Sequence, residues 1–462
     1  MTVQDAHAPD ERREREETEL PMGVGRVSRG WIAFVGLAFL GVVVGIIGFL
    51  TEQGQGLVGT GMRDLGTMGG ATWGLYITLV IYFVGVSFAG IMIAALIRLF
   101  NLEHLKGIAR MAEVMTVVAL LLGALAIIVD LGKPVRGVVN LFRYARPQSP
   151  FFGTFSLVIT GYLFSSLVYM YVTARRDAAV LAARPSKLQG FFRAWSAGYE
   201  DTADQRARDR RTTFWLALAI LPVLVVATSS LGLVFGLQVG RPGWFGTLQA
   251  PAFVVLAGVS GIGHIIVLAA IVRHALHQED RIGVDAFAWL GRFLMTLLFV
   301  YCYFVAVEIF TTIYQPAVAE QRIGDALLTG RYAWLFWGSI VTLVVPALLL
   351  AWMAIKKQWR IGWLVAIGVI VNLGALAKRY LIVVPSQTHG QLLPYGEVGT
   401  YSPTWVEYAV MIGLFSLGAL LVAIFMKIFP IIELADADTD PDVDDGGAER
   451  PEAHEMEKEV VS

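Results

Sequence analysis

The chain has 462 residues, of which 56% are hydrophobic, 11% aromatic and only 16% charged, with a mean hydropathy of +0.63. Soluble domains carry about 25% charged residues, so this composition excludes a soluble enzyme, a disordered chain and a nucleic-acid binder. It predicts an all-α polytopic membrane protein. The formal net charge of −1 hides an asymmetry: from Glu433 to the end there are 12 acidic and 2 basic residues, which leaves 34 basic against 25 acidic residues in 1–432.

In chain order, residues 1–30 form a polar segment that is too charged for a signal peptide. Ten apolar stretches follow, each long enough to cross a bilayer at about 20 residues per span: 31–51, 73–99, 108–130, 151–173, 213–236, 249–273, 284–315, 332–355, 361–384 and 403–430. The first lacks a small-residue cleavage site and is expected to stay as an anchor. The membrane domain therefore occupies 31–432. The charged stretch 175–212 is expected to be a cytoplasmic amphipathic loop dividing the chain, with spans 2–5 and 6–9 as two four-helix bundles and the outer two spans flanking them. The acidic, Pro- and Gly-punctuated segment 433–462 is expected to be a disordered tail.

Orientation follows from the positive-inside rule. With the N-terminus cytoplasmic, inner segments carry 22 basic residues and outer loops carry 8. Both termini are therefore expected in the cytoplasm of a cell whose inner membrane holds the chain. Asp130, which ends the third span, then lies at the outer face.

Cysteine and histidine usage limits the redox chemistry. Cys302 is the single cysteine, so the chain cannot hold its own disulfide or iron–sulfur cluster. Only His264 of the seven histidines falls in mid-span, and a bis-histidine haem needs a facing pair. No haem or other metal is expected.

Ionisable groups at membrane depth are costly and mark candidate sites. They are Glu113, Asp130, His264, Arg292, Glu308, Lys378, Arg379 and Glu407, and most gather toward the outer face; Glu113 lies near the inner end. A carboxylate and an arginine at the bilayer edge suit a quinone, whose oxygens need hydrogen-bond partners and whose redox step moves protons. An ion or anion transporter would use the same charges. Structural roles stand beside these. Asp130 caps a helix or pairs with Lys133 or Arg136, Arg379 snorkels, Glu407 follows Ser402-Pro403 at a helix N-terminus, Glu308 joins an interhelical pair, and His264 packs among small residues. The Gly-rich run 53–61 lacks the lysine of a phosphate cradle and is expected to be a flexible outer turn.

Asp130-Leu131-Gly132-Lys133-Pro134, followed by Ser149-Pro150, resembles the NrfD/polysulfide reductase membrane-subunit family. Its hallmark is an acidic residue or histidine, then Leu-Gly, a basic residue and Pro at a helix end. The Trp-Gly start of 73–90, Tyr301 through Glu308 to Tyr314, the segment 330–337, Lys378-Arg379 and the run 401–407 resemble its ten-helix branch, as in alternative complex III. The resemblance covers roughly 30–430.

This resemblance implies a quinone-binding anchor subunit of a respiratory oxidoreductase, which passes electrons between membrane quinone and a docked iron–sulfur subunit. Menaquinone or ubiquinone would lie between spans 3, 4 and 9 at the outer face. Asp130 would exchange the ring proton, Arg379 would hold the other polar group, and Thr154 and Ser149 would assist. Asp130 stands where many relatives have histidine, and Gly153-Thr154 departs from the Trp-Asp of alternative complex III subunits. Glu113, His264, Glu308 and Glu407 are candidates for a proton path. A molybdopterin subunit is the expected electron terminus, with Lys133–Arg146 as docking surface. Two rival readings are a secondary transporter and a purely structural anchor. Pro222, Pro251 and Pro346 do not form the matched helix breaks of the former.

Overall fold

The computed structural model describes residues 20–63, 72–144, 146, 155–314, 317–389 and 401–434. Ser149 and Thr154, the first four residues of the expected fourth span and most of both polar ends lie outside these. Fourteen helices run α1 (Arg29–Gln55), α2 (Leu75–Leu99), α3 (Lys106–Asp130), α4 (Pro134–Tyr144), α5 (Phe155–Ala183), α6 (Gln189–Ser196), α7 (Ala203–Gly236), α8 (Gln249–Ala275), α9 (Val284–Tyr314), α10 (Val318–Leu328), α11 (Ala333–Lys356), α12 (Ile361–Val383), α13 (Pro385–Thr388) and α14 (Trp405–Ile428). Among the described residues, nine helices are long and apolar enough to cross a membrane. The fourth expected span, the one not among these nine, falls in α5, which has 29 residues, a reach of about 43 Å at 1.5 Å per residue. The chain is an all-α, multi-pass membrane protein.

Helices α2, α3, α5 and α7 close one four-helix ring, and α8, α9, α11 and α12 close a second. The rings meet where α2 and α7 pack on α8 and where α2 touches α12. This places α2 at the centre, buried along almost its whole length. Helices α1 and α14 flank the first ring, with α14 against α3 and α2.

The α1–α14 crossing depends on small residues. Without a water-driven hydrophobic effect in lipid, helices associate through close van der Waals contact. Gly41, Gly45 and Gly48 of α1 lie against Ser416, Gly413 and Ala409 of α14; a Cβ on Gly45 would sit 2.6 Å from the Gly413 Cα. Trp31 Nε1 adds a hydrogen bond of 3.2 Å to the Ala423 carbonyl.

Three segments differ from the sequence-based expectation. The 53–61 run is not a free turn: it forms two 3-10 turns with Thr60 and Met62 buried, and Gly61 lies so close to the Ser402 carbonyl that a Cβ would be 2.1 Å from it. Stretch 175–212 is mostly helix, made of the end of α5, all of α6 and the start of α7. The rings of α6 pack on Phe429. Glu433, expected to open a solvated tail, instead pairs with Arg98, and Leu434 is buried, because the guanidinium needs a counter-charge there.

Candidate functional site

Helix α3 stops at Asp130 for a local reason. Gly132 takes a left-handed conformation at φ 63°, the usual device for ending a helix, and Pro134 starts α4 where its missing N–H costs nothing. The carboxylate of Asp130 is thereby fixed at the helix end. Its Oδ1 is shielded from solvent and has no hydrogen-bond partner among the described residues.

Two flanking helices bring carboxylates to this end: Glu52 of α1, five residues before the Leu57 that lies against Gly132, and Glu407 of α14, which holds Gly61 of the same segment. Glu52 is fully buried. Its Oε2 accepts from the Tyr76 hydroxyl at 2.8 Å, while Oε1 has no partner. Glu407 is saturated. It accepts from the Gly61 N–H at 2.8 Å and the Thr404 N–H at 2.9 Å, and also from the Tyr401 hydroxyl. With Thr404 it forms a capping box at the start of α14. Tyr401 in turn accepts from the Leu75 N–H at 2.7 Å. Gly74 is required beside it, since a Cβ there would be 2.3 Å from the Tyr401 hydroxyl.

An aromatic wall continues from the same end. Trp73 stacks on Trp244 at 5.7 Å, Trp244 meets Phe235 at 5.0 Å, and Phe235 meets Phe253 at 5.7 Å. Trp73 is held through its backbone by Gln387, which accepts from its N–H at 3.0 Å and donates to its carbonyl at 2.7 Å. Trp244 Nε1 donates to the Ile382 carbonyl at 2.6 Å.

Arg379 sits at the far end of that wall. Its guanidinium lies 4.3 Å over the Phe253 ring and donates to the Phe253 carbonyl at 3.2 Å; Nη1 has no partner. It abuts Gly85 of α2, whereas Gly123 of α3 packs on Val84 and Val80 of the same helix, so that Asp130, seven residues further along the antiparallel α3, falls near the Tyr76 level. Nine residues separate those levels, about 13 Å along a helix axis. The two therefore do not face one small ring. Among the described residues, helix α12 packs on α8, α11, α2 and α9, and α3 on α2, α5, α14 and α8.

The remaining candidates are dispersed. Lys378 bonds Glu308 at 2.7 Å and lies over Phe336. His264 Nδ1 lies 3.0 Å from the Ser260 carbonyl, and its ring meets Tyr82, whose hydroxyl donates to Asn372 at 3.0 Å. At the opposite end of the bundle Glu113 accepts from the Thr173 hydroxyl at 2.7 Å and pairs with Arg98 at 3.5 Å and Arg110 at 3.8 Å. Arg292 of α9 lies over the Trp359 ring.

Sequence reasoning missed Glu52, Tyr76 and Tyr401. The signal for Glu52 was present: an acid in the last turn of an apolar span, without a cation beside it, is the same anomaly that marked Asp130.

The family profile described as polysulphide reductase, NrfD matches residues 64–390. Relatives include a dimethyl sulfoxide reductase membrane subunit of Halobacterium salinarum, 30% identical over 88% of this chain and 92% of that one. A selenate reductase subunit of Mesobacillus selenatarsenatis is 24% identical over 86% and 93%. The Hdr-like menaquinol oxidoreductase integral membrane subunit of Archaeoglobus fulgidus is 22% identical over 84% and 90%. With its multi-pass helical architecture, its Asp130-Leu-Gly-Lys-Pro helix end and a profile match across most of its length, the chain belongs to the NrfD polysulphide reductase family of oxidoreductase membrane subunits.

Proposed function

We propose that this chain is the quinone- or quinol-binding anchor of a multi-subunit respiratory oxidoreductase, using menaquinone or ubiquinone. Electrons pass between the quinone and an iron–sulfur partner, with a molybdopterin subunit beyond it. That partner docks at the Asp130 end, which is the outer face of the inner membrane, and both termini are cytoplasmic. The menaquinol and reductase names borne by the relatives support this reading.

One observation carries it: Asp130 presents a buried carboxylate oxygen that no described residue satisfies. Buried polar groups are nearly always bonded, and an orphan acceptor fits the hydroxyl of a hydroquinone. A bound quinol supplies two protons and two electrons. Asp130 holds one of those protons at Oδ1. Thr154 and Ser149, outside the described residues, remain assigned to the same end.

The test is Asp130→Asn in the purified complex. The change is isosteric, so the iron–sulfur partner should still co-purify, while quinol turnover falls by about 100-fold or more, the range for losing a general base. Turnover at the native rate would remove Asp130 from the chemistry.

A further inference from the structure

We propose that Glu52 of α1 is a second proton acceptor paired with Asp130. This rests on the quinone reading above. The profile covers 64–390 and α1 precedes it, yet α1 carries a carboxylate as fully buried as that of Glu407.

Helix polarity sorts the three carboxylates. Glu407 begins α14, where the helix dipole favours an anion, and its oxygens are used by two N–H groups and a hydroxyl. Glu52 and Asp130 each lie in the last turn of their helices, with no basic residue there. A negative charge at that end is disfavoured by about 0.3–1 kcal/mol. Each also retains an unbonded, solvent-shielded oxygen. One acid is built for structure, and two occupy costly positions with an acceptor in reserve.

The surroundings keep the pair dry and fixed. The 56–63 segment folds over the helix ends, with Leu57 against Gly132 and the Thr404 hydroxyl donating to the Gly59 carbonyl at 3.0 Å. Tyr76, Asp130 and Glu407 are the titratable groups facing Glu52, from α2, α3 and α14. The Tyr76 phenol holds Oε2 and leaves Oε1 as the available acceptor.

The stoichiometry balances. Both O–H bonds of a hydroquinone break; Asp130 takes one proton and Glu52 the other, each forming a carboxylic acid, and two electrons leave singly to the iron–sulfur carrier. Repulsion between two neighbouring carboxylates favours uptake of the first proton, and the second goes to the weaker base that remains.

The test uses the whole complex with menadiol as donor, following the rate of iron–sulfur bleaching and the infrared difference spectrum on reduction. Native complex should show carboxylic-acid carbonyl bands from two groups. Glu52→Gln should lose one band and slow bleaching at least tenfold with KM unchanged, while Glu52→Asp recovers part of the rate. Two bands and a native rate in Glu52→Gln overturn the pairing. If that variant does not assemble, Tyr76→Phe decides: a shifted Glu52 band supports the proposal, and an unshifted one overturns it. A native rate in Asp130→Asn as well would sink the quinone reading itself, whereas loss there with none in Glu52→Gln sinks only the pairing.

Discussion

A guanidinium buried in a membrane protein with no carboxylate opposite it needs a reason to persist, and Arg379 has two weak ones, the Phe253 ring and its carbonyl. Its depth separates it from Asp130 by about 13 Å along α2, so it does not grip the ring whose proton Asp130 takes. Arg379→Met fills the same volume without a buried charge, and such replacements are often neutral or stabilising. The expected outcome is quinol turnover within about threefold of native, a change worth roughly 0.7 kcal/mol or less, with an unchanged or raised thermal midpoint. A hundredfold loss would place the ring at the Phe253 level instead. The sequence marked Arg379 as unusual but not its level, because α12 continues into the Pro385–Thr388 turn and a helical side chain leans toward its own N-terminus. His389 lies just beyond that turn, beside Tyr332, and burial holds its imidazole below the ordinary value. The folded state then binds its proton less readily than the unfolded state, so its contribution is present at neutral pH and lost as pH falls through the folded value. His389→Gln should flatten the acid side of the stability–pH curve.

At the level of elements, the flanking pair α1–α14 makes the Glu52 assignment testable from a distance. Gly45→Leu forces a branched side chain into a crossing where even a Cβ would meet Gly413 at 2.6 Å. It should loosen α1 while the two four-helix rings, which α1 does not join, remain assembled. Quinol turnover should then fall with the iron–sulfur partner still bound; native turnover would mean that α1 contributes nothing to the chemistry. Periodicity and length were enough to read the spans, the paired bundles and the Asp130-Leu-Gly-Lys-Pro stop, because each is set by neighbours in sequence. The carboxylate cluster was legible only in part. Glu52, Tyr76, Asp130 and Tyr401 come from four separate segments, and no local pattern encodes their meeting. The glycines of 53–61 misled for a related reason: Gly61 serves close approach to Ser402 rather than freedom.

The whole molecule has ionisable clusters at both ends of α2, and they are built differently. At the Asp130 end, acids keep unbonded oxygens. At the other end a cavity of about 1010 Å³ is lined by Arg98, Arg110, Asp177, Arg281 and Glu433 among others. There Arg110 bonds Asp177 at 3.1 Å, the Leu434 N–H donates to Asp177 at 3.3 Å, and Phe429 lies over Arg110. Glu113 is the centre of this network, and both its oxygens have partners. A group on a proton route must give up its bonds at each turnover; one bonded to Thr173 and two guanidiniums is better placed to hold α3 to α5 and α2. Glu113→Gln keeps the hydroxyl bond but removes the charge that Arg98 and the buried Arg110 share, leaving each with one carboxylate, Glu433 and Asp177; the cost is a fraction of the roughly 3–5 kcal/mol of a buried pair broken outright. The variant should therefore melt a few degrees lower. In sealed vesicles it should release as many protons per quinol as the native complex. A lower proton count at native quinol turnover would instead assign Glu113 to a path across the membrane, with His264 at mid-depth as the next group to replace.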